Sequence, residues 1–541
     1  MIAEEEWYTP LSQIPSIVQS KRLSANSGIC HDISFRKAQI NALINMIDEN
    51  YDTFKSAIHA DLGQNNFFTK MFDVGSTVSA AKFVLSEMDE WVKTKDIPTS
   101  FPVNTALPFK STITPTPRGV ILNISPWNFP FALALVPVLE AIAAGNVCII
   151  KPSEHSMNCS KVMARLLPQY VDPRVVSVVL GGAAHSTELL KHRFDAIVFT
   201  GSTEVGKVVA TAAAQHLTPT LLELGGKSPA IVCDDADLES AAMRIALSKF
   251  TANMGQFCCA SDYVIVVESK KEKFVELLKQ ALVKFYGIDP KQSQDVGRMI
   301  SIRHTERLVR LLEDPTIQIV HGGKYDVKEK YIEPTIVEAG VNSECMKEEI
   351  FGPILPIYTV PTTDDAVNYV QDHYTFKGKH PLALYVFSKS EKKWKHIINC
   401  IQCGGASIND PIKHIGNKFM PFGGVGTSGM NSYHGRYGFD FFSHYKPVMS
   451  VSNYSTNPAD PGVWLLFPPY TEQKMKAIVA MSNLPDFCRK VKAIFRIVMP
   501  AVILGIVFQY PGIMNAILEF NIKTIINAVL SMINCIGNYF K

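Results

Sequence analysis

The chain has 541 residues, 47% of them hydrophobic and 19% charged, with a formal net charge of +3 at pH 7. That is enough for roughly two to four domains around a large buried core. The balance excludes a disordered chain and a polytopic membrane protein, and so small a charge argues against nucleic acid as a partner.

The amino-terminal stretch MIAEEEWYTP is acidic and lacks the apolar core of a secretory signal. Eleven cysteines without such a signal point to a reducing compartment, where thiols stay free. Cys400 and Cys403 form a C-x-x-C, but no second Cys/His pair completes a zinc site, so packing is expected there and no metal.

Apolar positions recur at helical spacing from 34 to 62, and further helical pattern runs to about Val92. The proline-rich stretch 97–119 breaks it. Strands and helices then alternate. GVILNIS (119–125) reads as a buried strand, PFALALVPVLEAIAAG (130–145) as a helix and NVCIIKPS (146–153) as a strand. A helix from about Cys159 follows, then the strands VVSVVLGG (175–182) and DAIVFTGS (195–202) and the helix TEVGKVVATAAAQHL (203–217). A second series begins near Leu221 and includes PAIVCDD, YVIVVES and LALYVFS. Such alternation predicts parallel, doubly wound sheets with ligands beyond the carboxyl ends of the strands. Two α/β lobes with a cleft between them are the simplest assembly.

The carboxyl-terminal segment differs. Residues 497–518 contain no charged side chain and follow a cationic run with Arg489, Lys490, Lys492 and Arg496. About 20 apolar residues span a bilayer core, and flanking cations suit its cytosolic side, so a membrane anchor is expected. Pro500, Pro511, Gln509 and Asn515 leave a kinked or shallow insertion open, and a buried helix or an oligomer contact is the other reading.

Several short signals carry chemistry. Gly201 and Gly206 in FTGSTEVGK place bare backbone at a strand end and in the helix after it, where free N–H groups favour a phosphate. The spacing is neither G-x-G-x-x-G nor a P-loop, and read alone it is an ordinary strand-turn-helix pair. Lys151 and Glu154 in IIKPSE could grip a ribose by donor and acceptor, or form a solvated turn. Cys258, next to Cys259 in GQFCC, is a potential nucleophile if a base stands nearby or its pKa is lowered. Glu223 in ELGGKSP is the potential base, and Asn128 in SPWNFP a potential amide donor to an oxyanion. Taken one at a time, each is as readily a structural residue.

Together these segments are more specific. PWNFP, KPSE, FTGSTEVG, ELGGKSP, GQFC, EEIFGP (348–353) and PFGGVGTSG (421–429) occur in this order and at these separations. In this the chain resembles the aldehyde dehydrogenase superfamily over roughly residues 30–450. HLTPTLLELGGKSPAIV, SGMNSYHGRYGFDFFSH and the hydrophobic tail are similar to the membrane-associated fatty aldehyde dehydrogenases of its class 3 branch. The resemblance implies a Rossmann-type parallel-sheet cofactor domain, an α/β catalytic domain, a small β oligomerisation arm and a membrane tail. The expected boundaries are 1–220, with an oligomerisation segment near 93–117, then 221–410, 411–450 and 451–541. It also implies Cys258 as nucleophile, Glu223 as general base and Asn128 as oxyanion donor. Lys151 and Glu154 would hold the adenosine ribose. Gly201, Ser202, Thr203 and Gly206 would form the pyrophosphate turn, and Glu349 and Phe351 would hold the nicotinamide side, with Trp127 and Leu224 beside the cofactor. NAD is the expected cofactor, with NADP an option.

The same resemblance implies a homodimer and a cytosol-facing enzyme anchored on the endoplasmic reticulum, the mitochondrial outer membrane or a lipid droplet. The expected substrate is a lipophilic aldehyde, namely a medium- to long-chain fatty aldehyde or, alternatively, a long isoprenoid or apocarotenoid aldehyde. A non-catalytic membrane-tethered scaffold is the reading from another class, and it would need a damaged catalytic set. Cys259 is expected to serve packing.

Overall fold

The helical spacing near the amino terminus folds as α1 (Ile14–Asn26), α2 (Ile33–Glu49), α3 (Tyr51–Leu62), α4 (Asn66–Phe72) and α5 (Val74–Trp91) in a computed structural model that describes residues 6–99, 109–451 and 468–480. The single helix expected over 34–62 divides at Asn50. That residue leaves helical geometry, and its side-chain amide donates to the Met46 carbonyl and the Tyr170 hydroxyl, both at 2.9 Å. A polar side chain with a better partner outside the helix ends the first segment.

Two sheets follow. The first contains β1 (Val120–Ile124), β2 (Val147–Lys151), β3 (Val176–Val178), β4 (Ala196–Gly201) and β5 (Thr220–Leu224), all parallel, in the order β5-β4-β1-β2-β3. Every residue of β1 and β2 is buried, as expected of parallel strands covered on both faces. The crossing helices are α6 (Ala132–Ala143), α7 (Met157–Tyr170), α8 (Ala183–Leu190) and α9 (Thr203–Ala214).

The strand carrying Glu223 pairs with β4, Thr200 opposite Glu223, so it belongs to the first sheet. The crossover to the second sheet lies at Gly225–Ser228, a few residues later than the sequence pattern placed it.

The second sheet contains β6 (Pro229–Val232), β7 (Tyr263–Val267), β8 (Ile317–His321), β9 (Thr335–Ala339), β10 (Ile354–Val360), β11 (Ala383–Phe387) and β12 (Gly405–Ile408). Its order is β8-β9-β10-β7-β6-β11-β12, parallel except where β8 meets β9. Helices α10 (Leu238–Ala246), α11 (Lys271–Tyr286), α12 (Ile302–Leu312), α13 (Thr363–His373) and α14 (Glu391–Cys400) connect its strands. Residues 429–430 then return the chain to the first sheet, antiparallel to β5. The carboxyl ends of the first sheet and the entries of β6, β7 and β10 supply the site described below.

Among the described residues, those up to Val92 and Pro115–His444 form one compact unit, and those within Lys93–Thr114 and from Tyr445 onward belong to another. The second holds most of a three-stranded sheet, in which Lys95–Ile97 pairs antiparallel with Phe109–Pro117 and Ser443–Val451 flanks the other side. The apolar run 497–518 and the cations before it lie outside the described residues. Among the described residues no helix is long and apolar enough to cross a membrane.

Glu140 of α6 is buried and accepts from the Gly435 backbone N–H at 2.6 Å, while its other oxygen has no hydrogen-bond partner among the described residues. Burial raises its carboxyl from 4.5 to about 8 against the pull of the Gly435 and His434 amides. The folded chain thus keeps a proton that the unfolded chain has released, and this group costs stability progressively as pH rises between about 4.5 and about 8. In Glu140→Gln that slope should vanish. Relative to wild type, the variant's thermal midpoint is expected to climb with pH across this window and level off above it. A pH-independent difference would mean that Glu140 is not the titrating group.

Candidate active site

The turn after β1 carries Trp127 and Asn128. Asp73, buried at the start of α5, fixes this turn by accepting the Ala132 N–H at 2.5 Å and the Phe131 N–H at 3.5 Å. Asn128 is itself buried, and its Nδ2 donates to the Gln256 carbonyl at 3.1 Å. An amide nitrogen carries two hydrogens, so one remains for a ligand.

The nucleophile loop meets this turn from the second sheet. After α10 the helix widens into a π-turn over Leu247–Thr251, the kind of one-residue expansion that recurs at functional sites. Asn253, Met254 and Gly255 then follow with φ of 49°, 53° and 73°. Successive left-handed non-glycine residues are costly, and here hydrogen bonds hold them. Asn253 Nδ2 donates to the Asn128 carbonyl at 2.7 Å, and its Oδ1 accepts from Gln64 Nε2 at 2.9 Å. Gln256 Nε2 donates to the Arg298 carbonyl at 3.0 Å, and its Oε1 accepts the Ile300 N–H at 2.9 Å. The ring of Phe257 lies 5.4 Å edge-on from Phe129. Asn128 and Cys258 are therefore held by neighbouring residues on both loops.

Cys258 is half-buried and Cys259 fully buried. The neighbouring Cys259 thiol, more than any other influence, holds the Cys258 thiol below its ordinary value despite burial, with the Cys259 and Cys258 amides helping. Burial and the same neighbour push Cys259 well up. Cys259 was expected only to pack. It also favours the ionised form of Cys258, while the Tyr385 hydroxyl donates to its carbonyl at 2.5 Å.

Glu223, near the end of β5, is buried, and neither carboxylate oxygen has a hydrogen-bond partner among the described residues. Burial first, and the charge of Cys258 second, raise its pKa well above 4.5. Glu349 is likewise pushed well up by burial, then by Asp262 and Cys258, against Lys249 and Lys227. A Cβ on Gly225 would lie 2.1 Å from Glu349 Oε2, so this position needs glycine. Phe351 has a φ of 51°, and its ring meets Trp127 edge-on at 5.4 Å. Trp127 also contacts His304 at 5.3 Å, whose imidazole burial depresses to about 4.

On the first sheet, Lys151 Nζ lies 3.0 Å from Glu154 Oε2. Burial raises the Glu154 carboxyl most, but Lys151, the Glu154 amide and His155 together outweigh it and the value falls. Gly182 leaves Glu154 uncrowded, since a Cβ there would reach only 3.5 Å from Oε1. Ser202 caps α9 by accepting the Val205 N–H at 3.4 Å, and Thr203 Oγ1 donates to the Thr427 carbonyl at 3.0 Å. Gly206 lets α9 approach β5: a Cβ would come within 2.5 Å of Leu224 Cδ2. A paired carboxylate at one strand end and an open helix N-terminus at another fit the diol and diphosphate of a dinucleotide.

Sequence reasoning assigned no role to Asn253, Gln256, Lys227, Asp262, His304 or Arg307. Lys227 and Gln256 sit inside motifs already singled out. Cys400 and Cys403 stay apart from these groups, with Cys400 Sγ 3.7 Å from His396 Nδ1.

The aldehyde dehydrogenase family model matches residues 31–448. The dimeric NADP-preferring aldehyde dehydrogenase of Rattus norvegicus is 42% identical, over 82% of this chain and 95% of the rat protein. The 4,4'-diaponeurosporen-aldehyde dehydrogenase of Staphylococcus aureus is 41% identical, over 83% of this chain and 95% of its own length. A substrate-bound structure of Staphylococcus aureus AldH superposes with a TM-score of 0.81 at 38% identity, covering 86% of this chain and 99% of that one.

The thiol pair gives a direct test. Cys259→Ala removes the neighbour that favours the Cys258 thiolate, so the pKa of Cys258 should rise. The pH profile of iodoacetamide alkylation at Cys258, read by mass spectrometry, is expected to move to higher pH. An unmoved profile would leave Cys259 as packing alone.

Proposed function

The chain belongs to the aldehyde dehydrogenase family, and from that premise we propose that it oxidises medium- to long-chain fatty aldehydes to fatty acids with NAD or NADP. The observation that carries the chemistry is the meeting of Asn128, Cys258 and Glu223 across two loops and a strand end. An intact set of this kind also speaks against a non-catalytic scaffold.

In this reading the Cys258 thiolate attacks the aldehyde carbonyl carbon, and the free hydrogen of Asn128 Nδ2 stabilises the oxyanion with the Cys258 N–H. Bound nicotinamide supplies the hydride acceptor that lets the adduct collapse to a thioester on Cys258. Glu349 and Phe351 hold the ribose and ring side of that acceptor, and Trp127 packs behind Phe351. Glu223 then takes a proton from the water that hydrolyses the thioester. Its raised pKa makes it a stronger base than an ordinary carboxylate, and its unbonded oxygens are free for that water. Lys151 and Glu154 serve the adenosine ribose, and Ser202, Thr203 and the start of α9 the diphosphate. A lone carboxylate would reject a 2′-phosphate, but Lys151 already matches Glu154, which favours use of either dinucleotide. A relative that bears the name NADP-preferring agrees with this.

A row of aromatic rings supports a lipophilic substrate. From Phe257 beside the nucleophile, contacts pass to Phe129 at 5.4 Å, Phe68 at 5.5 Å, Phe72 at 5.9 Å and Phe67 at 6.3 Å, which is 65% exposed on α4. Phe68 and Phe129 are buried in the core, so an alkyl chain would meet this row at its exposed end, Phe67, and would gain about 0.8 kcal/mol per buried CH₂. A long isoprenoid or apocarotenoid aldehyde is the second reading, favoured by the 4,4'-diaponeurosporen-aldehyde dehydrogenase among the relatives.

The chain-length profile decides. Purified protein should form NADH from fatty aldehydes with kcat/KM rising with chain length, and Cys258→Ser should form none. Preference for short, water-soluble aldehydes would sink the lipid reading, and polyene aldehydes turned over faster than aliphatic ones would select the second.

The charge-free run 497–518 and the cations before it support a tail held in the cytosolic face of a membrane, on the endoplasmic reticulum, the mitochondrial outer membrane or a lipid droplet. The name "dimeric" borne by the rat relative supports a homodimer. Deletion from Arg489 onward should move the protein from the membrane fraction to the supernatant as a dimer by light scattering, still active on soluble aldehydes. Continued sedimentation with membranes would refute the anchor, and a monomer would refute the dimer.

A further inference from the structure

Three buried ions near the site take no part in the proposed chemistry. Lys227 Nζ lies 2.6 Å from Asp262 Oδ2, and Lys249 Nζ lies 3.2 Å from Oδ1, with all three side chains almost wholly out of solvent. Two lysines share one buried carboxylate, and burial lowers the Lys249 ammonium pKa against the pull of Asp262. Apolar replacement of such clusters is often neutral or stabilising, so stability is a poor reason for this one.

Its position suggests another. Asp262 closes the nucleophile loop at the entry of β7, the strand lying between β10 and β6. From there it reaches both neighbours. It binds Lys227 at the entry of β6, and it accepts the Ile350 N–H at 3.2 and 3.3 Å just before β10. Lys227 Nζ also donates to the Glu348 carbonyl at 3.0 Å, and the Arg307 guanidinium of α12 donates to the Ile350 carbonyl. Glu349 is therefore gripped on both sides through its neighbours' backbone. The grip extends to Phe351, whose left-handed backbone is strained and persists only where the surroundings over-determine it. Cys258 lies four residues before Asp262 and Glu223 four before Lys227, so one carboxylate registers three segments.

We infer that Asp262 is a positioning residue that sets the 348–351 strap against the nucleophile loop, and that its effect on the reaction falls on the cofactor side. The inference rests on the reading above, with Cys258 as nucleophile and Glu349 and Phe351 as the nicotinamide-side residues. Cys258 and Asn128 have their own staple through Asn253 and Gln256, so they stay in place when the strap shifts.

Cofactor-free ester hydrolysis separates the two sides, because it needs the thiol, the oxyanion donors and the base but no dinucleotide. For Asp262→Asn, hydrolysis of a p-nitrophenyl ester should stay close to wild type. Aldehyde-dependent NADH formation should fall roughly 10²-fold, the scale of a ~1 Å misplacement. NADH binding followed by fluorescence should weaken, and the KM for NAD should rise. Should the asparagine variant not fold, Lys227→Gln keeps the Asp262–Lys249 pair, loses the Lys227 contacts to Asp262 and to the Glu348 carbonyl, and should show the same split. Parallel loss of both activities, or loss of neither, would overturn the positioning role. Cys258→Ser runs alongside: ester hydrolysis surviving in it would overturn the assigned nucleophile, and the inference with it, by a result the Asp262 variants cannot mimic.

Discussion

Two loops from different sheets must hold one short distance, and the amide pair Asn253–Asn128 does most of that. Asn253 donates to the backbone of the Asn128 turn, while Asn128 donates to the backbone of Gln256, two residues before the nucleophile. Each loop thus satisfies a buried carbonyl of the other, and water is excluded from both bonds. A buried carbonyl left unmade costs about 1–3 kcal/mol, so the arrangement has little freedom to slip. The left-handed run 253–255 is tolerated for the same reason, since relaxing it would release these bonds. The oxyanion donor and the sulfur are pre-set, as electrostatic stabilisation of a developing charge requires.

Much of this was legible in the sequence. β1 and β2 announced themselves as continuous apolar runs, because strands covered on both faces have no polar side to show. The motif residues at strand ends followed from the general habit of parallel sheets. Partnership was not legible. Gln256 and Lys227 stood inside quoted motifs, yet nothing in their spacing says that one turns inward to Arg298 and Ile300 and the other to Asp262. Such contacts join residues far apart in the chain, and a local pattern carries no information about them. The division at Asn50 was hidden likewise, since its deciding partner, Tyr170, lies on another helix.

Cys259 is the plainest case. A second cysteine beside a nucleophile reads as a small buried side chain, and it is buried. Proximity decides the rest: its thiol lies beside the neighbouring sulfur, so a packing residue also favours ionisation of Cys258. Spacing shows the residue type, whereas the strained backbone before it sets which groups surround the thiol.

The electrostatics give the reaction an order. Glu223, Glu349 and Cys258 crowd together, and each carboxyl is raised partly by the charge of the thiolate. Like charges in a dry site resist ionising together, so an ionised Cys258 makes both carboxyls harder to ionise. Attack on the carbonyl converts the sulfur into a thioester, which bears no charge. One of the two causes that raise Glu223 is then gone, and its carboxyl becomes more acidic. The base is thus harder to ionise while it could only compete with the nucleophile. Its ionisation becomes easier once a thioester is waiting for water, so the same proximity that delays the second half of the reaction also releases it.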